Sequence, residues 1–102
     1  MTIRDALTGG VIYTAVMAGV GLATGGGANL SENAMEGAVM AAAILADETT
    51  HSMAGLDPSV ASSAAMTGAW FAAMESFLRG DSRIVRNLAA GAAVSVTVDT
   101  WY

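Results

Sequence analysis

Residues 6–31, ALTGGVIYTAVMAGVGLATGGGANLS, run for 26 positions without a formal charge, between Asp5 and Glu32. A helix needs roughly 20 mainly apolar residues, at about 1.5 Å rise each, to cross a bilayer. This run is long enough, and no other charge-free run in the chain matches it. It predicts an all-α fold, a helical transmembrane protein organised around this first span.

The composition of the whole chain points the same way. Of the 102 residues, 54% are hydrophobic and 13% charged, against about 25% charged in an ordinary soluble domain. Mean hydropathy is +0.53. So little charge leaves much of the surface to be covered by lipid or by partner subunits. The apolar content is mostly Ala and Gly, which contribute little transfer free energy but let helix backbones approach closely.

Nine acidic residues face four Arg and no Lys, for a net charge of −5. That balance suits a high-salt environment and argues against a nucleic-acid partner, which needs a basic footprint for phosphates. With no cysteine, disulfides, thiolate nucleophiles and Cys-based metal sites are excluded. Met1-Thr2-Ile3-Arg4-Asp5 lacks the net positive charge of a secretory leader.

Capping signals divide the chain. Thr2-x-x-Asp5 opens a first helix and Gly25-Gly26-Gly27 closes it. Asn29-x-x-Glu32 opens a second, and Asp57-Pro58 is the sharpest boundary, with Asp as cap and Pro at the first helical position. Gly80 ends the third helix and Asp81-Ser82 starts the fourth. The result is one helical membrane domain over 1–102, with helices at about 3–24, 30–49, 58–79 and 83–98 forming two hairpins. Residues 47–55 read as a frayed end and polar loop. The β-branched tail 95–102 alternates like a short strand, but is taken as helix to 98, with Trp101 and Tyr102 anchoring it at headgroup level. Residues 34–38 and 65–69 echo each other at an offset of 31, which Ala-rich sequence produces readily by chance.

Small residues recur at a four-residue spacing on all four helices: Ala15, Gly19 and Ala23; Ala34, Ala38, Ala42 and Ala46; Ala61, Ala65, Ala69 and Ala73, beside a neighbouring row of Ala64, Gly68, Ala72 and Ser76; Ala89, Ala93 and Thr97. Residues four apart share one side of a helix. Each row is therefore a shallow groove suited to close helix packing, with a partner in the same chain or in another copy.

Glu36 and Glu75 are the acids placed at membrane depth. An ion or proton path would use them. The plainer expectation is that both lie near helix ends and reach the interface, with Arg79 one turn beyond Glu75 as its partner. Arg79, Arg83 and Arg86 cluster around the third turn, as interfacial anchors or as docking points for an acidic protein shell. Asp47, Glu48 and His51 are close in sequence but lack a metal-site signature. No G-x-S-x-G elbow or phosphate loop occurs. No cofactor, metal or catalytic residue is expected, and the protein is read as not an enzyme.

Small size, few charges, Ala/Gly-rich spans and short turns make the chain resemble the small internal-membrane proteins of membrane-containing icosahedral viruses, with a halophilic host. The resemblance implies an integral protein of a virion's internal membrane. Its copies would pack in the lipid bilayer as homo-oligomers, or with other membrane or capsid proteins, and link the bilayer to a protein shell. Two other readings stand beside it: a small channel, holin-like or proton-conducting subunit, and a soluble helical shell or scaffold protein from a high-salt environment.

Overall fold

A computed structural model describes residues 2–25 and 29–100. Four helices follow in order: α1 (Thr2–Ala23), α2 (Leu30–Ala54), α3 (Val60–Arg79) and α4 (Ile84–Thr100). The all-α, four-helix expectation is met. Asn29 caps α2, its side-chain oxygen accepting the Glu32 N–H at 3.1 Å. Ser59, not Asp57, caps α3: its Oγ accepts the Ser62 N–H at 3.1 Å, and Ser62 Oγ accepts the Ser59 N–H at 2.9 Å. This reciprocal pair satisfies two backbone donors that a helix start otherwise leaves open.

Helix α2 continues to Ala54 rather than fraying after 49, and α4 continues through Thr100 rather than turning into a strand. Threonine hydroxyls in both tails donate back to the carbonyl one turn earlier: Thr49 to Leu45, Thr50 to Ala46, Thr97 to Ala93 and Thr100 to Val96, all at 2.7–2.8 Å. The β-branched residues thus find their polar partner inside the helix. Gly55, at φ 68°, ends α2, and Gly80, at φ 65°, ends α3; both occupy the left-handed region that glycine enters without a Cβ clash.

Adjacent helices pair as α1/α2 and α3/α4. The two hairpins then join through α2 against α3 and α1 against α4. Each hairpin closes on a pair of glycines. A Cβ on Gly10 would sit 2.8 Å from the Gly37 carbonyl oxygen, and one on Gly91 would sit 2.7 Å from Gly68 Cα. The hairpins repeat one another in sequence as well. Gly10-x-x-Tyr13 in α1 corresponds to Gly68-x-x-Phe71 in α3. Buried Asn33, Gly37, Met40 and Ile44 in α2 match buried Asn87, Gly91, Val94 and Val98 in α4, with identical spacing. The Tyr13 and Phe71 rings meet edge to face between the hairpins, 5.3 Å apart at 78°. Replacing Gly37 with Ala is expected to cost about 1–3 kcal/mol, because its Cβ would lie 2.7 Å from the Gly10 backbone oxygen. Gly19→Ala, with nothing within 4 Å, is expected to stabilise by up to about 1 kcal/mol. Urea unfolding of the two variants checks the contrast.

The transmembrane bundle is corrected by this structure. Among the described residues, only α1, over Ile3–Ala23, is long and apolar enough to cross a membrane, and it lies near the N-terminus. The other three helices bury ionisable or amide side chains, with Glu36, Asp47 and His51 in α2, Glu75 in α3 and Asn87 in α4. The radius of gyration, 13.1 Å, matches the about 13 Å of a compact 100-residue globule. The internal-membrane resemblance, the bilayer partner, the integral-membrane location and the membrane-linking or conducting functions fall with that bundle.

Candidate functional site

Both ends of the bundle hold polar clusters, and the flank between them is apolar. At the end containing the start of α1, α2 presents its last turns to the first turn of α3. There His51 Nδ1 lies 2.9 Å from Asp47 Oδ1 and 3.1 Å from the Asp47 carbonyl oxygen, while Nε2 lies 3.0 Å from Ser62 Oγ. His51 is 2% exposed and Asp47 3%. One proton assignment fits these contacts: Nδ1–H donates to the Asp47 carbonyl oxygen beside the carboxylate, and Ser62 O–H donates to Nε2, while Asp47 Oδ1 is buried without a hydrogen bond of its own. Sequence reading singled out Asp47 and His51 and missed Ser62, for which the Ser59-x-x-Ser62 capping spacing was the available signal.

An acid–imidazole–hydroxyl relay of this kind can activate a serine. Here Ser62 Oγ already accepts from the Ser59 N–H and lies 3.0 Å from Ser59 Oγ. Its lone pairs are occupied by the helix cap, so the arrangement acts as a clasp between the end of α2 and the start of α3. A cleft of about 550 Å³ beside it is lined by Asp5, Asp47, Glu48, His51 and Asp99, among others. No group of three or more His, Cys, Asp or Glu among the described residues is placed to hold a metal ion.

The opposite end gathers around Arg79. Its Nε lies 3.1 Å from Glu75, and its Nη2 lies 3.3 Å from Glu32 and 3.9 Å from Glu36. Glu75 is 1% exposed and Glu36 6%. The acids read as candidates for an ion path are therefore gathered on a single guanidinium. Arg83 grips Asp81 with two side-chain hydrogen bonds, at 3.0 and 2.9 Å. Arg86 donates to Asn87 Oδ1 at 3.2 Å. All three arginines of the cluster thus have partners within the chain. Trp101 and Tyr102 lie outside the described residues.

Burial pushes the carboxyls of Asp47, Glu48, Glu75 and Asp99 up from their ordinary values of 3.8 or 4.5, since desolvation disfavours the charged form. The Tyr13 hydroxyl is pushed up to about 12, again by burial. Hydrogen bonds from Arg83 hold Asp81 well below the usual carboxylate range. The four raised acids bind a proton more tightly folded than unfolded, so their contribution falls as pH rises through their folded values. Asp81 has the opposite sign: its contribution is present above 3.8 and is lost as pH falls toward its depressed folded value. The melting temperature is therefore expected to be higher at about pH 5 than at about pH 8. Calorimetry across that range checks it, and a melting temperature rising steadily toward pH 8 would refute it.

On the flank, most small-residue positions face outward. Ala15, Gly19 and Ala23, Ala34, Ala38 and Ala42, Ala61, Ala65, Ala69 and Ala73, and Ala89 and Ala93 are all exposed, while Gly68, at the α3–α4 crossing, and Ala72 are buried. Large apolar side chains stand among them: Leu7, Val11, Leu22 and Leu30 are 62–68% exposed and Phe77 is 92% exposed. Between α1 and α2 runs a groove of about 480 Å³, lined by Leu7, Val11, Ala15 and Ala18 on one side and Leu30, Ala34, Ala38 and Ala41 on the other, with Gly10, Thr14 and Gly37 along its floor. No protein-family model, curated protein or solved structure matches the chain.

Proposed function

We propose that the protein is a structural helical subunit, a shell or scaffold protein of a high-salt environment, whose apolar outer faces are covered by neighbouring protein. The distribution of side chains carries this reading. Asn33, Glu36, Asp47, His51, Thr67, Glu75 and Asn87 are buried, while Leu7, Val11, Leu22, Leu30, Met53, Phe77 and Val85 are more than half exposed. Scattered single apolar residues on a surface need no explanation, but contiguous patches mark contact sites. The acidic surplus supports the high-salt setting: a net charge of −5 with no Lys makes like subunits repel at low ionic strength. The role is structural rather than catalytic, in keeping with a Ser62 hydroxyl engaged in helix capping.

Raising the salt from about 0.1 M to about 1 M shortens the Debye length from about 10 Å to about 3 Å, removing that repulsion while apolar contacts persist. Sedimentation across this range is expected to show the mass rising from monomer to oligomer. In a cell lysate the protein is expected to be released by alkaline carbonate without detergent. A monomer at every salt concentration, or retention in the carbonate-resistant membrane fraction, would overturn the proposal.

A further inference from the structure

We infer that the cleft beside the His51 clasp binds an extended aliphatic amine, a diamine or polyamine, with its ammonium groups on the carboxylates and its methylenes along the apolar wall. The inference is independent of the assembly reading above. All four helices build the cleft: Asp5 comes from α1, Asp47 and Glu48 from α2, Ser63 from α3, and Ser95 and Asp99 from α4. At about 550 Å³ it falls within the range of about 300–1,000 Å³ for small-molecule sites. Among the described residues lining it, His51 is the only base, and the proton assignment above leaves it neutral. Those lining residues therefore offer four carboxylates and no cation. Burial, and after it the charges of Asp5, Asp47 and Asp99, push the Glu48 carboxyl up, so a cation placed there is favoured by all four acids.

A hydroxyl supplies the second observation. Ser95 lines the cleft, is 4% exposed, and makes no hydrogen bond to any described residue. Thr97 and Thr100 in the same helix bond back one turn, to Ala93 and Val96; Ser95 does not. Buried polar groups are nearly always paired, and this one is left open toward the cleft. Asp99 lies four residues on, so the hydroxyl and that carboxylate share one side of α4. From α2, Glu48 Oε2 is also buried without a hydrogen-bond partner. Both oxygens can accept, and an ammonium group is purely a donor.

The same residues favour an amine over a metal ion. Among the described residues no three acids or histidines come together to hold a metal, so the charge is spread along the cleft rather than focused at a point. Ile44, Leu56, Val60 and Val98 line it as well. Aliphatic side chains among separated acceptors match methylenes between separated ammonium groups, each making charge-assisted hydrogen bonds.

Titration calorimetry of the full chain with spermidine, at about 0.1 M NaCl where screening is moderate, is expected to give one saturable site. Glu48→Gln is expected to weaken binding about tenfold or more, and Ser95→Ala about threefold or more. Glu32→Gln, which removes the same charge at the opposite end of the bundle, is expected to bind as the unmodified chain does. Calcium chloride at matched ionic strength is expected to bind more weakly than spermidine. Circular dichroism checks the fold of each variant; if Glu48→Gln loses helicity, Ser95→Ala carries the test. The absence of a saturable site, unchanged affinity in the folded Glu48→Gln and Ser95→Ala proteins, equal weakening by Glu32→Gln, or calcium binding as tight as spermidine's would each overturn the inference.

Discussion

Replacing Arg79 with Leu is expected to cost about 3–5 kcal/mol, the loss that follows when one partner of a buried ion pair is removed. The guanidinium stands among Glu32, Glu36 and Glu75, and the side chains of Glu36 and Glu75 are 8% and 2% exposed. Without it, two carboxylates are left in a low-dielectric interior, each facing the other's charge. Against a whole-domain stability of about 5–15 kcal/mol, the variant is expected to be partly unfolded at neutral pH. The same physics predicts rescue. Glu75→Gln in the Arg79→Leu background removes one stranded charge and is expected to recover part of the loss, as is acidification, since Glu75 already holds its proton more tightly than a free glutamate. Guanidinium unfolding of the single and double variants checks this. A loss below about 1 kcal/mol, the range of an exposed pair, would show that Arg79 is not what holds that end of the bundle.

The same cluster shows why the environment was harder to read than the fold. Helix starts and stops are local: Asn29 reaches three residues ahead to Glu32, and Gly55 and Gly80 turn left-handed where they stand. Four helices in two hairpins could therefore be read from short spacings. Arg79 meets Glu32 across 47 residues, and no spacing rule links them. Without that pairing, Glu36 looks like a charge stranded at membrane depth, and an Ala/Gly-rich chain with positive mean hydropathy looks lipid-facing. The small-residue rows were legible as periodicity, but their direction was not. Periodicity says which residues share a side and is silent about what that side meets; in α3 Ala61, Ala65, Ala69 and Ala73 face outward, while Gly68 and Ala72 of the row beside them are buried. The helix crossings form instead at Gly10–Gly37 and Gly68–Gly91. Those glycines belong to the true internal repeat, whose hairpins differ in the spacing of their two glycines, 27 residues in the first and 23 in the second. No single offset therefore aligns the two hairpins, whereas the 31-residue echo needs only one. At the α2–α3 clasp, Asp47 and His51 are one helical turn apart and stood out, whereas Ser62 comes from the next helix and is linked to them only by the fold.

Phe71→Ala is expected to be comparably severe, at about 3–5 kcal/mol for a buried aromatic ring. Phe71 is 0% exposed and Tyr13 4%, and their edge-to-face contact joins α1 of one hairpin to α3 of the other. The remaining buried apolar side chains are small or aliphatic: Ala6, Met40, Ala43, Ile44, Ala72, Val94 and Val98. Each hairpin, however, is closed by its own glycine crossing, which the substitution does not touch. The loss is therefore expected to fall between the hairpins rather than within them. Phe71→Ala should keep most of its far-ultraviolet helical signal while losing near-ultraviolet structure and a sharp thermal transition, the behaviour of a chain whose secondary structure outlives its packing. Phe71→Leu, which keeps most of the volume, is expected to lose less and to stay cooperative. A double-mutant cycle of Phe71→Leu with Tyr13→Leu is expected to return a coupling of about 0.5–1.5 kcal/mol for the ring pair. If Phe71→Ala instead melts as one cooperative unit with less than about 1 kcal/mol lost, the hairpins are held together elsewhere, and the aromatic pair is only filling space.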